Sequence, residues 1–267
     1  MSPHVCPPPN FELGPSVPDG PMPSLSQSPG LFEIAFPGLG AIKVQESSIV
    51  VQAESPDKAV QVWARYGAWA RAQWWASKGH LVLSGAAVAR AGKGVAIVGP
   101  SRVGCSVTAL QLTRHGFGLV SDGFAVIAAD GRLIEGPGEV SVDRQVREKL
   151  FGDYPSEQKS SGRDRVAVKG PFHGDAELAS CIVLSVRDGI TDVKTRRIEN
   201  PFNLVKRFMA EPLLGAPNPY VGRTTIDPNT VDAWMVQRAA PESLEELKRS
   251  GPQSVATAID RVICGRD

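Results

Sequence analysis

From residue 31 the chain alternates between two periods. In LFEIAFPGLGAIKVQESSIVVQA (31–53) apolar and polar positions alternate, and Ile and Val are abundant. Successive strand side chains face opposite ways, so this stretch predicts two or three short antiparallel strands. Ser55-Pro56 then reads as a helix cap followed by a proline at the first helical position. Val60, Trp63, Gly67, Ala70 and Trp74 follow at helical spacing, and four of the five tryptophans lie on this segment, which predicts a helix with one face packed on a sheet. HLVLSGAAVA (80–89) predicts a strand, and GVAIVG (94–99) a second, buried one. A helix through Thr108, Leu110 and Leu112 should end near His115-Gly116, before a strand at FGLVS (117–121). Asp130-Gly131 makes a tight turn between FAVIAA and RLIEG, a hairpin signal. DRQVREKLFGDY (143–154) has the pattern of an amphipathic surface helix near the loop described below, and residues 155–170 are polar and loop-like. CIVLSV (181–186) and VKTRRIE (193–199) predict strands split by a turn at Asp188-Gly189. The C-terminal third predicts helices, with starts at Asn200-Pro201, Asp227-Pro228 and Pro241.

Composition changes this picture mainly at the N-terminus. Residues 1–30 hold nine prolines, several serines and few large apolar residues; such a segment cannot recover its ordering entropy and is expected to be a disordered lead-in. The expected organisation is therefore a Pro-rich tail (1–30), N-terminal strands and a helix (31–79), and a main domain (80–267). At 267 residues and 42% hydrophobic content the chain can build one sizeable core. Its formal net charge of +1 gives no reason to expect nucleic acid or an acidic membrane surface as a partner. No apolar run is long enough to span a bilayer and no signal pattern opens the chain, so an uncleaved cytoplasmic protein is expected. Cys6, Cys105, Cys181 and Cys264 form no C-x-x-C pair, and His4, His80, His115 and His173 share no ligand spacing; neither a zinc site nor a disulfide framework is expected.

The candidate chemistry sits in GKGVAIVGPSRVGCSVTALQLTRHGFGLVSDG (92–123). A buried strand runs into Gly99, a second glycine follows at Gly104, and a helix begins. This is the frame of a phosphate-binding loop, G-x-x-x-x-G-K-[ST], with Cys105 in the lysine position and Ser106 in the hydroxyl position. Such a loop works because backbone N–H groups converge on an anion at the positive end of the following helix. Asp122 ends the next strand. In a parallel sheet strand ends meet at one edge, where Asp122 could hold a metal or accept a hydroxyl proton; capping the turn before Gly123 is the structural alternative. Arg102, inside the loop, is a candidate partner for outer phosphates, with a solvated arginine as the alternative. Lys93 lies before the strand and too far away. Cys105 at a helix N-terminus has the setting of a lowered thiol pKa, against plain small-residue packing. Lys194, Arg196 and Arg197 read as a solvated face.

These residues resemble the catalytic core of the HPr kinase/phosphorylase family, whose members show a His-x-Ser-Ala-Val strand, an intact phosphate loop, a helix and a strand ending in paired aspartates. GAAVARAGKGVAIVGPS and RHGFGLVSDG follow that layout, specifically over 80–135 and more loosely from 31 to about 220. The resemblance implies an α/β fold: a P-loop kinase-like mixed sheet flanked by helices, with a small N-terminal β-rich part. It implies Mg²⁺-dependent transfer of phosphate from ATP, or another nucleotide, to a hydroxyl of a peptide, protein or small metabolite. Carried over by position, Gly99, Pro100, Ser101, Arg102, Val103, Gly104, Cys105 and Ser106 bind phosphates, Ser106 and Asp122 hold the metal, and Asp122 is the acidic catalytic residue. The family's assembly points to a homo-oligomer. Three positions depart from the pattern: the family histidine falls on Ser84, the lysine on Cys105 and the second aspartate on Gly123. Two readings follow, an active divergent kinase and a degenerate nucleotide-binding regulatory or scaffold protein. A third keeps the fold and uses the Cys105 thiol.

Overall fold

The computed structural model describes residues 4–5, 24–28, 31–45, 47–100, 102–134, 136, 138–158, 163–168, 174, 176–187, 192–199, 201, 231–238 and 252–264. The described residues fall into two compact units that part between Val82 and Leu83.

The first unit is an antiparallel five-stranded sheet with a long helix. Its strands β1 (His4–Val5), β2 (Ser24–Ser28), β3 (Leu31–Phe36), β4 (Gly40–Gln45) and β5 (Ile49–Gln52) lie in the order β1-β5-β4-β3-β2. The alternation read from the sequence is real: Phe32, Ile34 and Phe36 are buried and their neighbours are not. Helix α1 (Pro56–Ser77) starts where expected, its first turn capped by the Ser55 hydroxyl, which accepts from the Lys58 N–H at 3.3 Å. Its Ala59, Val62, Tyr66 and Ala70 pack on the sheet, with the Tyr66 ring stacked on Phe36 at 4.0 Å.

Part of the expected disordered lead-in is strand. Ser24–Ser28 pairs with β3 from Ser24 opposite Ala35 to Ser28 opposite Leu31, and His4–Val5 pairs with β5. Composition missed this because edge strands carry unpaired N–H and C=O groups, which a serine-rich segment can satisfy without an apolar face of its own.

The second unit carries a seven-stranded mixed sheet, so the mixed α/β architecture is as expected. Its strands are β6 (Leu81–Arg90), β7 (Lys93–Val98), β8 (Gly118–Ser121), β9 (Phe124–Ile127), β13 (Glu177–Val186), β14 (Lys194–Arg197) and β15 (Ala233–Arg238). The order is β14-β15-β13-β7-β6-β8, with β9 also paired to β6. A separate antiparallel sheet, β10-β12-β11, is built from β10 (Glu139–Asp143), β11 (Ser156–Gln158) and β12 (Arg163–Ala167). Helices α2 (Cys105–Thr113), α3 (Arg144–Leu150) and α4 (Pro252–Cys264) complete the described part. Val95 and Ile97 of β7, Ile182 and Leu184 of β13, and Val236 of β15 share one core with Leu110 and Leu112 of α2, Ile259 of α4, and Val140 and Val166 of the small sheet.

Further sequence expectations need correction here. Residues 155–170 are not all loop: Ser156–Gln158 and Arg163–Ala167 pair as antiparallel strands. The C-terminal third is not wholly helical: Ala233–Arg238 is a strand, parallel to β13. Its buried Ala233 and Val236 are three residues apart, with half-buried Trp234 and Met235 between them, a spacing and a length from which periodicity alone cannot separate strand from helix. The predicted helix starts at 200, 227 and 241, and the turn at 188–189, lie outside the described residues. Lastly, β7 and β8 are not parallel neighbours. Strand β6 lies between them, antiparallel to both. They still run the same way, so both end at one edge of the sheet.

Candidate functional site

The site is built at that edge. Strand β7 is buried from Gly94 to Val98, as a central strand must be, and delivers Gly99. Side chains are excluded at Gly99: a Cβ there would stand 2.6 Å from Val103 Cγ1 and 2.8 Å from the Leu184 carbonyl oxygen. The loop folds back through the Val103 N–H, which donates to the Pro100 carbonyl at 3.0 Å, while the Val103 side chain drops into the core. Arg102 is exposed and held at φ +66°, the left-handed region that non-glycine residues rarely adopt. Gly104 takes φ +103° and becomes the N-cap of α2. Glycine can adopt that angle without a Cβ penalty. It brings no side chain to cap the helix, and α2 has no side-chain cap bond. The first-turn amides, including those of Cys105 and Ser106, therefore open onto the loop, with the positive end of the helix dipole behind them.

Asp122 follows β8 and is buried, with 4% of its surface exposed. Its Oδ2 accepts from the Ser141 N–H on β10 at 3.0 Å, so the small sheet positions the carboxylate. That carboxylate lies near enough to α2 for its charge to act on the Cys105 thiol. Burial first, and the Asp122 charge second, push that thiol up to about 12. A thiol shifted in that direction is a poor nucleophile at neutral pH, which favours packing over a covalent role for Cys105. Cys181 is likewise pushed up to about 12 by burial.

Thus Gly99, Pro100, Arg102, Val103, Gly104, Cys105 and Ser106 form one turn at the head of α2, with Asp122 beside it; Ser101 lies outside the described residues. The three departing positions fall here as well. Gly85 opposite Val98 places Ser84 at the loop end of β6. Gly123 has φ +86°, an angle at which an aspartate would be strained. Lys93 stands at the far end of β7, as its sequence position predicts.

Arg238, at the end of β15, is the residue that sequence reading missed. Register brings Arg238 opposite Val186, and Val183 opposite Val98, so β7, β13 and β15 all end at the loop. Arg238 Nη2 donates to the Val103 carbonyl at 3.0 Å. The one sequence signal for it is a basic residue closing a short apolar run.

No protein-family model matches the chain, and no curated protein does. Among solved structures it is similar to the Hpr(Ser) kinase/phosphatase from Coxiella burnetii, at 14% identity over 69% of this chain and 97% of that one, with a TM-score of 0.35. A likeness that distant decides nothing about the chemistry. Among the described residues no helix is long and apolar enough to cross a membrane.

One substitution tests the loop geometry directly. Gly99→Ala should force Val103 or β13 to move and cost about 1–3 kcal/mol. Thermal melting reads this, and an unchanged melting temperature would mean that the tight approach at Gly99 is not real.

Proposed function

We propose that this chain is a divergent kinase of the HPr-kinase type, moving a phosphoryl group from ATP or another nucleotide to a hydroxyl of a peptide, protein or small metabolite. The observation that carries the reading is the turn Gly99–Gly104 running into an uncapped α2, with the buried Asp122 carboxylate beside its first residue. Phosphate oxygens would sit on the loop and first-turn amides, which hold an anion without spending a side chain. Asp122 would accept the proton of the attacking hydroxyl, a role open to a carboxylate within hydrogen-bond reach of that proton. Tying one carboxylate oxygen to the Ser141 N–H fixes its direction.

The donor set fits Mg²⁺ of the kind held mostly by phosphates and water, since Ser106 and Asp122 offer one hydroxyl and one carboxylate. Among the described residues no group of three His, Cys, Asp or Glu could cage a metal by itself. When bound, the ion would neutralise charge on the transferring phosphate.

A degenerate regulatory or scaffold protein is the second reading. It is favoured by Cys105, a partly buried, uncharged thiol where the family has a lysine, and by the left-handed backbone of Gly123. Both readings require nucleotide binding. Mg–ATP, Mg–ADP or pyrophosphate at about 100 times its Kd should add about 2.7 kcal/mol of stability, an upward melting shift of several degrees. No shift with any of the three would remove both readings. Label transferred from γ-labelled ATP to a candidate acceptor supports the kinase; binding with no transfer supports the scaffold.

A further inference from the structure

We propose that Arg238 is the phosphate-holding cation of this site, supplying from β15 the charge that a lysine at position 105 would supply from α2. The inference rests on the nucleotide reading above. Arg238 reaches the loop because β15 runs parallel to β13 and β13 parallel to β7. The three carboxyl ends open on one edge, where ligands of open α/β sheets bind. Its Nη2 anchors on the Val103 carbonyl, one residue before the helix cap. It also overhangs the bare N-cap, for a Cβ on Gly104 would stand 3.7 Å from Nη2. One bond engages one of the five guanidinium N–H donors.

The electrostatic surroundings point the same way. Among the described residues no carboxylate pairs with Arg238. The guanidinium is half-buried, and burial pulls its pKa below the ordinary arginine range. A cation drawn from water without a counter-charge is costly. A phosphate on the α2 amides would provide that counter-charge, and the planar fork suits its oxygens. Cys105 cannot take this role, since a thiol carries no positive charge in either protonation state. Arg102 is the competing cation. It is exposed and makes no anchoring bond among the described residues, so its charge is screened by solvent.

The test titrates the whole chain with pyrophosphate, ATP and AMP, comparing wild type with Arg238→Gln, Arg238→Lys and Arg102→Gln. In Arg238→Gln, pyrophosphate and ATP should bind about tenfold or more weakly while AMP changes little, so the preference for ATP over AMP collapses. Arg238→Lys should recover part of that preference, and Arg102→Gln should keep most of it. If all three ligands weaken in parallel, or none does, Arg238 only ties the loop to the sheet and the inference is overturned while nucleotide binding stands. If wild type binds none of them, the inference and the nucleotide reading fall together. Should Arg238→Gln not fold, wild type answers through phenylglyoxal labelling read by peptide mass. Protection of Arg238 by pyrophosphate supports the role, and equal labelling with and without it refutes the role.

Discussion

Phosphate transfer should fall on the order of 10³-fold when Asp122 is replaced by asparagine, with the fold intact. Asparagine keeps the shape and an oxygen that can still accept from the Ser141 N–H, so the small sheet retains its hold on the side chain. It lacks the negative charge and the basicity to take a hydroxyl proton. A loss of that size corresponds to about 4 kcal/mol of transition-state stabilisation. Melting temperature should change little, because asparagine matches aspartate in size and keeps the bond from the Ser141 N–H. A second readout does not depend on activity. The Asp122 charge is one cause of the raised Cys105 thiol, so in Asp122→Asn that thiol should titrate lower, with burial still holding it above the ordinary range. Transfer that survives the substitution would remove Asp122 as the base. A thiol unmoved by the substitution would place the carboxylate away from α2.

The second large effect concerns the support behind Asp122. Asp164→Asn should destabilise the second unit by about 3 kcal/mol. Asp164 lies on β12 with none of its side chain exposed, and its two oxygens accept from Arg144 Nε at 3.1 Å and Arg147 Nε at 2.8 Å. Both arginines belong to α3, whose first turn is capped by the Asp143 carboxylate, accepting from the Gln145 N–H at 2.9 Å. Asparagine leaves two cations facing a neutral amide, one of them, Arg147, only 14% exposed. For a chain of this size the melting temperature should drop by roughly 6–12 °C. The consequence reaches the site, because Asp164 stands opposite Val142 in register and Ser141 is the residue that holds Asp122. Amide exchange at Ser141 should therefore quicken in the variant. A melting temperature unchanged within about 2 °C would show that the arginines turn to water at no cost, as many exposed pairs do.

Much of this was legible in the residues alone, wherever the deciding physics is local. Ser55-Pro56 announced α1 because a cap and a fixed proline φ act within one turn. The spacing of Gly99, Gly104 and Ser106 announced the loop because a tight turn into a helix limits which residues fit. Alternation located β3 because burial of Phe32, Ile34 and Phe36 has the period of the pleat. Asp122 could be named as a candidate from its place at a strand end. The strand Ser24–Ser28 was not legible, because its pairing satisfies an edge rather than expressing a pattern of its own.

What the tertiary structure alone decided are the contacts between residues far apart in the chain. Arg238 and Val103 are separated by 135 positions and meet only because β15 joins β13 in parallel register. Asp122 gains its direction from Ser141, on a different sheet. The insertion of β6 between β7 and β8 likewise follows from strand pairing. Local sequence set the turn and the helix behind it, since dihedral preference and periodicity act within a few residues. Which charges face that turn depended on how the strands assembled, since hydrogen-bond register is a property of pairs of strands and of neither strand alone.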